Sequence, residues 1–193
     1  MIEESKKIQN LEVNGKTVLL RVDFNAPVLD GVIQDLTRIL SAKSTVDYLV
    51  NSKAKVLLLS HFGRPKGRSE DLSMKVLLAE IQDVLETKVS FVSDCIGDEV
   101  KGAIEKMEGG DVLLLENVRF YEEEEIGDLD FAKKLSMLAD IYVNDAFSCS
   151  HRNHSSIVGI TKFLPSYLGL SLQNEIENLS ILTSLDDQKK PFV

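Results

Sequence analysis

Residues 17–24 read Thr-Val-Leu-Leu-Arg-Val-Asp-Phe, an apolar run that passes into charged residues. Four further apolar runs follow at 55–60, 89–92, 112–120 and 141–145. Runs such as VLLL, without polar alternation, are typical of strands that are covered on both faces in a parallel sheet. Most of the segments between the runs carry the apolar period of amphipathic helices. This alternation predicts an α/β fold, a doubly wound, Rossmann-like parallel sheet in three layers with helices on both faces.

Capping and turn residues indicate where several elements begin. Asp35 or Thr37 precedes the first helical stripe, Ser73 precedes the second, and Asp128 precedes a later one. These residue types accept hydrogen bonds from the free N–H groups of a first helical turn. The dipeptide Asp-Gly at 30–31 stands between apolar pairs, which predicts a small hairpin near 28–34 on the rim of the sheet.

The composition excludes several classes of partner. The 193 residues carry a net charge of −9, with 44% hydrophobic and 27% charged residues. An acidic chain lacks the basic face that neutralises nucleic-acid phosphates or binds an anionic membrane. Cys95 and Cys149 are too few for a disulfide framework, and the first residues lack the apolar stretch of a secretory signal. We therefore expect a cytoplasmic protein that binds neither nucleic acid nor a membrane.

The arginines concentrate where the predicted strands end. Four follow strands, Arg21, Arg64, Arg119 and Arg152, and Arg38 opens the first helix. Ligands of open α/β sheets bind outside the carboxyl ends of the strands. A single arginine in such a loop is more often solvated or paired with a carboxylate. Five on one rim of an acidic protein favour a site for a small anionic ligand, held by several guanidinium groups.

Two polar residues after the first strand fit the same site. Asp23 and Asn25 could accept from and donate to a substrate hydroxyl, although Asp23 could instead brace Arg21. The residues therefore leave both interpretations of Asp23 open.

The three histidines lie in the same loops and raise a metal alternative. His151 and His154 stand three residues apart, a spacing that zinc sites use, and His61 follows the second strand. Because arginines surround them and would repel a cation, we rank metal binding below anion binding and predict no metal site. The acidic run Glu122–Glu125 is interpreted as a solvated, charged loop.

The nucleotide-binding motifs are missing from the sequence. It contains neither G-x-x-x-x-G-K-[ST] nor G-x-G-x-x-G, and the nucleophile motif G-x-S-x-G is also missing. The sequence thus predicts an anion site without a nucleotide site or a catalytic nucleophile.

Four motifs in register now carry a resemblance to a known family. They are RVDFNAP at 21–27, SHFGRPKG at 60–67, LLLENVRF at 113–120, and NDAF at 144–147 followed by HRNHSS at 151–156. Along its whole length the chain resembles the N-terminal half of phosphoglycerate kinase. The resemblance implies an N-terminal 3-phosphoglycerate-binding domain at 1–170, an interdomain hinge helix at 171–188, and the first residues of a nucleotide-binding domain at 189–193.

The resemblance implies a reversible phosphoryl transfer between ATP and 3-phosphoglycerate, a step of glycolysis. This half would bind 3-phosphoglycerate or 1,3-bisphosphoglycerate. Mg-ATP or Mg-ADP would be bound by the C-terminal domain, which is absent from residues 1–193, so this part alone is expected to be inactive. The family also implies a monomer whose partner is its own C-terminal domain.

The family's residue roles transfer to matching positions of this chain. By resemblance, Arg38 is catalytic because it would reach the phosphoryl group in flight, while Arg21 and His151 support the basic patch. The substrate-binding set implied by the resemblance is Asp23, Phe24, Asn25, Arg38, His61, Phe62, Gly63, Arg64, Arg119 and Arg152. Within it, Asp23 and Asn25 would contact the hydroxyl and carboxyl end, and His61, Arg64, Arg119 and Arg152 would hold the phosphate that is not transferred.

One departure and two alternatives remain. Many family members have Gly-Thr-Ala or Gly-Ser-Ala where this chain has Ser148-Cys149-Ser150, which puts the geometry of the following loop in doubt. The alternatives are a stand-alone anion-binding module and, more weakly, a metal-binding α/β protein. The gene downstream of Val193 discriminates the first, since a reading frame that continues into Gly-rich sequence supports the kinase. Metal analysis of the purified protein tests the second.

Overall fold

The computed structural model describes residues 2–29 and 32–184, and its centre is a parallel sheet of six strands. A separate antiparallel pair, β2 and β3, forms the predicted rim hairpin, whose turn residues at 30–31 lie outside the described residues. In chain order the strands are β1 (Thr17–Arg21), β2 (Val28–Leu29), β3 (Val32–Ile33), β4 (Lys55–Leu59), β5 (Val89–Phe91), β6 (Val112–Leu114), β7 (Ile141–Asn144) and β8 (Ser166–Leu168).

The strand order of the main sheet is β5-β6-β4-β1-β7-β8, and every pairing in it is parallel. From β1 the chain first builds the side that carries β4, β5 and β6, and later the side that carries β7 and β8. The strand order therefore switches beside β1. At such a point the connections diverge to opposite faces and open a crevice at the carboxyl ends of the strands.

Helices cover both faces of the sheet, which confirms the predicted doubly wound α/β architecture. They are α1 (Thr37–Asn51), α2 (Leu78–Leu85), α3 (Asp98–Glu105), α4 (Glu122–Ile126), α5 (Leu129–Ser136) and α6 (Leu170–Ser184). Alternate side chains along the strands pack into two separate hydrophobic cores, one on each face of the sheet. Leu20 and Leu58 pack with α1 and α2 on one face, whereas Leu19 and Leu57 pack with α3 and α5 on the other.

Two of the predicted cap residues stand at the starts of helical segments. The Asp128 carboxylate accepts a hydrogen bond of 2.7 Å from the Phe131 N–H at the start of α5. Ser73 caps the single 3₁₀ turn that leads into α2. These side chains replace the N–H partners that a first helical turn lacks. Asp35 accepts a 2.8 Å bond from the Thr37 N–H, but the N-cap residue of α1 is Leu36, which makes no side-chain cap, so the predicted cap at Asp35 or Thr37 is wrong.

Three segments differ from the sequence prediction. The run 112–120 forms a strand only over its first three residues, and Val118–Phe120 is a 3₁₀ turn. Strand β8 was not predicted, because three half-buried residues at a sheet edge carry too little pattern. The acidic run Glu122–Glu125, interpreted as a solvated loop, is wrong as a prediction, since it forms α4 and its third residue, Glu124, is fully buried.

Helix α6 covers most of the segment expected to join two domains. It begins at Leu170, one residue before the expected 171–188, while residues 185–188 and the expected second-domain start at 189–193 lie outside the described residues. Within residues 2–29 and 32–184, no helix combines the length and apolar character that a bilayer crossing needs.

Candidate anion-binding site

Arg21, the last residue of β1, occupies the centre of the crevice. Its side chain is almost fully buried, with 1% of its surface exposed. The Nε donates to Ser156 Oγ at 3.0 Å, Nη1 donates to the Val22 carbonyl, and Nη2 lies 3.2 Å from His61 Nδ1. Arg21 therefore contacts the loops that follow β4 and β7.

His61, just after β4, contacts the guanidinium group of Arg21 and lies in the electric field of two further arginines. Burial, followed by the positive charges of Arg21, Arg119 and Arg38, lowers the pKa of His61 to about 2. The imidazole is 4% exposed. A buried histidine that is neutral over the physiological range because of burial and of nearby arginine charges marks a positive pocket within an acidic protein.

Asp23 pairs with the arginine that opens α1. Its Oδ2 accepts hydrogen bonds from Arg38 Nη1 and from the Ser148 hydroxyl. The Arg38 side chain is 44% exposed, and the Asp23 side chain is 10% exposed. Asp23 thus braces Arg38 and not Arg21, so the interpretation of Asp23 as a brace for Arg21 is wrong, while a contact with a substrate hydroxyl stays a prediction.

The loops after β4 and β6 are joined by Gly63. Its N–H donates to Asn25 Oδ1 at 2.8 Å, and its carbonyl accepts from Arg119 Nη1 at 2.9 Å. Gly63 has a φ of +62°, a left-handed conformation that glycine adopts without strain. Arg119 Nε lies 3.0 Å from Glu125 Oε1, but the N–H does not point at this oxygen, so the ion pair has no hydrogen bond. Asn25 and Arg119 are thereby tied to one backbone position.

The remaining predicted side chains divide into exposed and core residues. Arg152 is exposed, and its charge, after burial, contributes to lowering the pKa of Arg119. Arg64 and His151 are exposed, and in the described part of the chain no side-chain hydrogen bond or ion pair joins them to the cluster. The side chains of Phe24 and Phe62 belong to the hydrophobic core, so only their backbone is available to a ligand.

Sequence reasoning missed the buried support of the cluster. Glu124 accepts from Ser156 Oγ at 2.6 Å and from the Ser156 N–H at 2.8 Å, and its Oε1 lies 3.6 Å from His154 Nδ1. Burial alone would raise the pKa of Glu124, but His154, Arg21 and Ser156 outweigh it and the pKa is lowered. Only the adjacency of HRNHSS to the crevice could have pointed to Ser156, and no local signal distinguishes Glu124 from its three acidic neighbours.

A cleft of about 280 Å³ opens beside the cluster, between α1, the loop after β7 and α6. Asp23, Arg38 and Ser148 line it on one side and Ser171 on the other. Asp145 lies at its base, where its carboxylate accepts 2.6 Å from the Thr45 hydroxyl and 2.9 Å from the Leu172 N–H. Asp145 therefore connects the loop of the anion cluster to the first turn of α6, a role that sequence reasoning did not foresee.

Asp23, His61 and Cys149 place possible metal-ligand atoms within 4.8 Å of one another. Their other contacts disfavour a cation. The Asp23 carboxylate is engaged by Arg38 and Ser148, and His61 Nδ1 faces the guanidinium of Arg21. A divalent ion would have to displace these donors and approach several positive charges. The arrangement suits an anion.

Comparison with known proteins places this geometry in a family. The family model described as phosphoglycerate kinase matches residues 8–193. A phosphoglycerate kinase of Wolbachia pipientis wMel is 56% identical over 172 residues, which are 89% of this chain and 43% of the relative. One from Dictyoglomus turgidum is 46% identical over 186 residues, 96% of this chain and 46% of the relative. The chain thus spans about half the length of the curated relatives it matches.

A solved structure agrees with the fold. The crystal structure of phosphoglycerate kinase from Pyrococcus horikoshii OT3 superposes with a TM-score of 0.86 at 33% sequence identity. The match covers 94% of this chain and 46% of that structure.

Proposed function

Because the chain belongs to the phosphoglycerate kinase family, we propose that residues 1–193 form the acid-substrate half of such a kinase. This half binds 3-phosphoglycerate or 1,3-bisphosphoglycerate in the crevice beside β1. The observation that carries the proposal is the cluster in which Arg21 contacts His61, Arg38 pairs with Asp23 and Arg119 bonds to the Gly63 carbonyl, within a chain whose net charge is −9. A phosphorylated acid satisfies such a cluster through charge-assisted hydrogen bonds.

The chemistry needs no general base in this half. The acceptor is a carboxylate or phosphate oxygen that is already anionic, so catalysis rests on positioning and on neutralising the charge of the group in transfer. We assign that neutralisation to Arg38, which is half exposed at the start of α1 and oriented by Asp23. Its position on the cleft allows it to approach a phosphoryl group that arrives from a second domain.

The bound acid is held at two ends in this proposal. Asp23 and Asn25 contact its hydroxyl and carboxyl end, and the backbone of Phe24, Phe62 and Gly63 lines the same place. The phosphate that is not transferred is held by His61, Arg64, Arg119 and Arg152, while Arg21 and His151 support the patch. The tie of Asn25 and Arg119 to Gly63 supports this division, since it fixes both groups relative to one backbone turn.

The nucleotide is assigned to another domain. Asp23, the carboxylate within the cluster, is bonded to Arg38 and Ser148 and does not fit as a magnesium ligand. We therefore propose that Mg-ATP or Mg-ADP binds to a C-terminal domain, and that the two domains act as one monomeric cytoplasmic enzyme. They would close so that the phosphates align and water is excluded.

Titration calorimetry with 3-phosphoglycerate tests the binding site. We expect Arg152→Ala to weaken binding by about 1.5–3 kcal/mol, because it removes a charge-assisted hydrogen bond from the bound phosphate. Arg68→Ala is the matched control, since Arg68 is half exposed and pairs with Asp94 outside the cluster. Equal affinity of both variants and the unmodified chain would remove Arg152 from the phosphate site. No binding by the unmodified chain would contradict the proposed function.

A coupled assay tests the assignment of the nucleotide. We expect residues 1–193 to show no turnover with ATP and 3-phosphoglycerate, since the proposed nucleotide site is not in them. Turnover by this chain alone would overturn the division into two domains.

A further inference from the structure

Arg21 is a buried cation without a carboxylate beside it. In the described part of the chain its guanidinium donates to Ser156, to the Val22 carbonyl and to His61, and it forms no direct ion pair. A guanidinium removed from water is costly unless other charges and hydrogen bonds compensate for the loss of hydration. A compensating negative charge must therefore act on Arg21 through one of the groups that Arg21 contacts.

Glu124 supplies that charge. It is fully buried, and its two carboxylate oxygens accept from the hydroxyl and the N–H of Ser156. The same hydroxyl accepts from Arg21 Nε at 3.0 Å. One serine hydroxyl thus donates to the carboxylate and accepts from the guanidinium, so the two charges face each other across a single oxygen.

We propose that Glu124 is a positioning residue for the anion site and acts on it through Ser156 and Arg21. This inference rests on the proposed function for the identity of the ligand. A carboxylate in direct contact would neutralise Arg21 and lower the positive potential of the crevice. Placed behind the serine, the carboxylate fixes the orientation of the guanidinium while its outer face remains available to an anion.

The same chain of bonds sets the protonation of His61. An arginine side chain only donates hydrogen bonds, so His61 Nδ1, 3.2 Å from Arg21 Nη2, must be the acceptor. In the neutral ring the proton then resides on Nε2. Glu124 thereby holds His61 in the tautomer whose Nε2–H donates, which is the form that an oxyanion needs.

The position of Glu124 depends on packing between distant segments. Ser156 lies in a π-helical turn, Ser155–Gly159, and the Ser155 Oγ lies 2.8 Å from the carbonyl oxygens of both Glu123 and Asp128, which share its one proton. These bonds join the turn to both ends of the short acidic helix α4. The turn after β7 is therefore held against α4 in the orientation that brings Ser156 to Glu124.

Nitrogen NMR of the His61 ring tests the proposal without substrate. In the unmodified chain near neutral pH we expect a proton on Nε2 and a free Nδ1. In Ser156→Ala and Glu124→Gln we expect both tautomers to be populated, because the orientation of Arg21 is no longer fixed. Glu122→Gln is the matched control, since it removes an equal charge from an exposed position of the same helix.

Affinity for 3-phosphoglycerate gives the second measurement. We expect Ser156→Ala and Glu124→Gln to weaken binding about tenfold or more, Glu122→Gln to leave it unchanged, and Ser156→Thr, which retains the hydroxyl, to recover most of the loss. An unmodified chain that does not bind the ligand contradicts the proposed function, whereas the NMR result still decides on Glu124.

Three outcomes would overturn the inference. One is a His61 spectrum in folded Ser156→Ala or Glu124→Gln that matches the unmodified chain. Another is an affinity loss in Glu122→Gln as large as that in Glu124→Gln. Failure of both buried variants to fold would also contradict it, since the network would then serve the fold and not the site.

Discussion

The pKa values of two buried side chains, His61 and Asp145, are shifted in opposite directions. Burial and neighbouring arginines lower the pKa of His61 to about 2, whereas burial raises the pKa of Asp145 to about 6 against the hydrogen bonds from Thr45 and the start of α6. In both residues the folded protein favours the neutral form. His61 and Asp145 therefore contribute to the stability of the chain in mild acid with opposite signs.

Replacement of His61 by glutamine should remove an acid-dependent loss of stability. Below pH 6.5 the unfolded chain binds a proton at His61 that the folded chain does not, so the free energy of unfolding decreases as the pH falls from 6.5 toward 2. Between about pH 7 and about pH 5.5 this loss amounts to about 1.3 kcal/mol. Urea unfolding at the two pH values should show a smaller decrease in His61→Gln.

Two variants serve as controls for this measurement. His151→Gln changes an exposed histidine and should retain the pH dependence of the unmodified chain. Asp145→Asn should make the loss of stability on acidification larger. In the unmodified chain the cost of ionising buried Asp145 is present above pH 6 and disappears as the pH falls toward 3.8, so Asp145 itself stabilises the folded chain as the pH falls. Identical pH dependence in His61→Gln and the unmodified chain would show that His61 is not held neutral by the fold.

At the scale of elements, the start of helix α5 and the loop after β7 pack against each other near the crevice. Helix α5 begins directly under the turn that carries Ser156, and its first residues pack Phe131 into the core. Gly127, two residues before α5, has a φ of +73°. A Cβ atom at this position would lie 2.5 Å from the carbonyl oxygen of Asn153 and would collide with it. The start of α5 and the loop after β7 therefore form one closely packed unit.

Removal of the Asp128 side chain measures how much the N-cap of α5 contributes to the free energy of unfolding. We expect Asp128→Ala to lower the free energy of unfolding by about 1 kcal/mol, because the Phe131 N–H loses its 2.7 Å acceptor. The bond between Ser155 and the Asp128 carbonyl involves only backbone at position 128 and should persist. Asp130→Ala, which removes an exposed acidic residue from the first turn, should cost less. An equal cost for both would assign the effect to charge and not to the cap.

At the scale of the whole molecule, a positive crevice lies within an acidic chain. The net charge of −9 makes other surfaces unattractive to small anions, while the crevice carries guanidinium groups from β1, α1 and the loop after β6. Such separation of charge steers a small anion toward one place on the surface. A cleft of about 280 Å³, bordered by α1 and α6, opens beside the crevice.

Replacement of Arg38 by alanine tests the proposed division of labour in an enzyme that carries both domains. We expect kcat to fall about 100-fold or more, with a smaller change in KM, because Arg38 is assigned to charge that develops in the transition state. Arg68→Ala, outside the cluster, should retain both constants. A rise in KM alone would make Arg38 an ordinary binding residue.

Much of this arrangement could be predicted from local sequence. The strand runs, the caps at Ser73 and Asp128, and the rim hairpin depend on residues a few positions apart. The placement of arginines at the carboxyl ends of strands follows from the parallel sheet. Strand β8 could not be predicted, because its three residues gain their pairing only when β7 is already beside them.

Local pattern was thus enough to predict the α/β sheet, the edge at which the arginines gather, and the family. Pairings between distant segments required the folded chain: Asp23 with Arg38, and Glu124 with Ser156, 32 residues apart. The physical reason is burial. An acidic helix such as α4 looks solvated until the turn at 155–159 packs over it, and only then does one of its carboxylates become the counter-charge of the crevice.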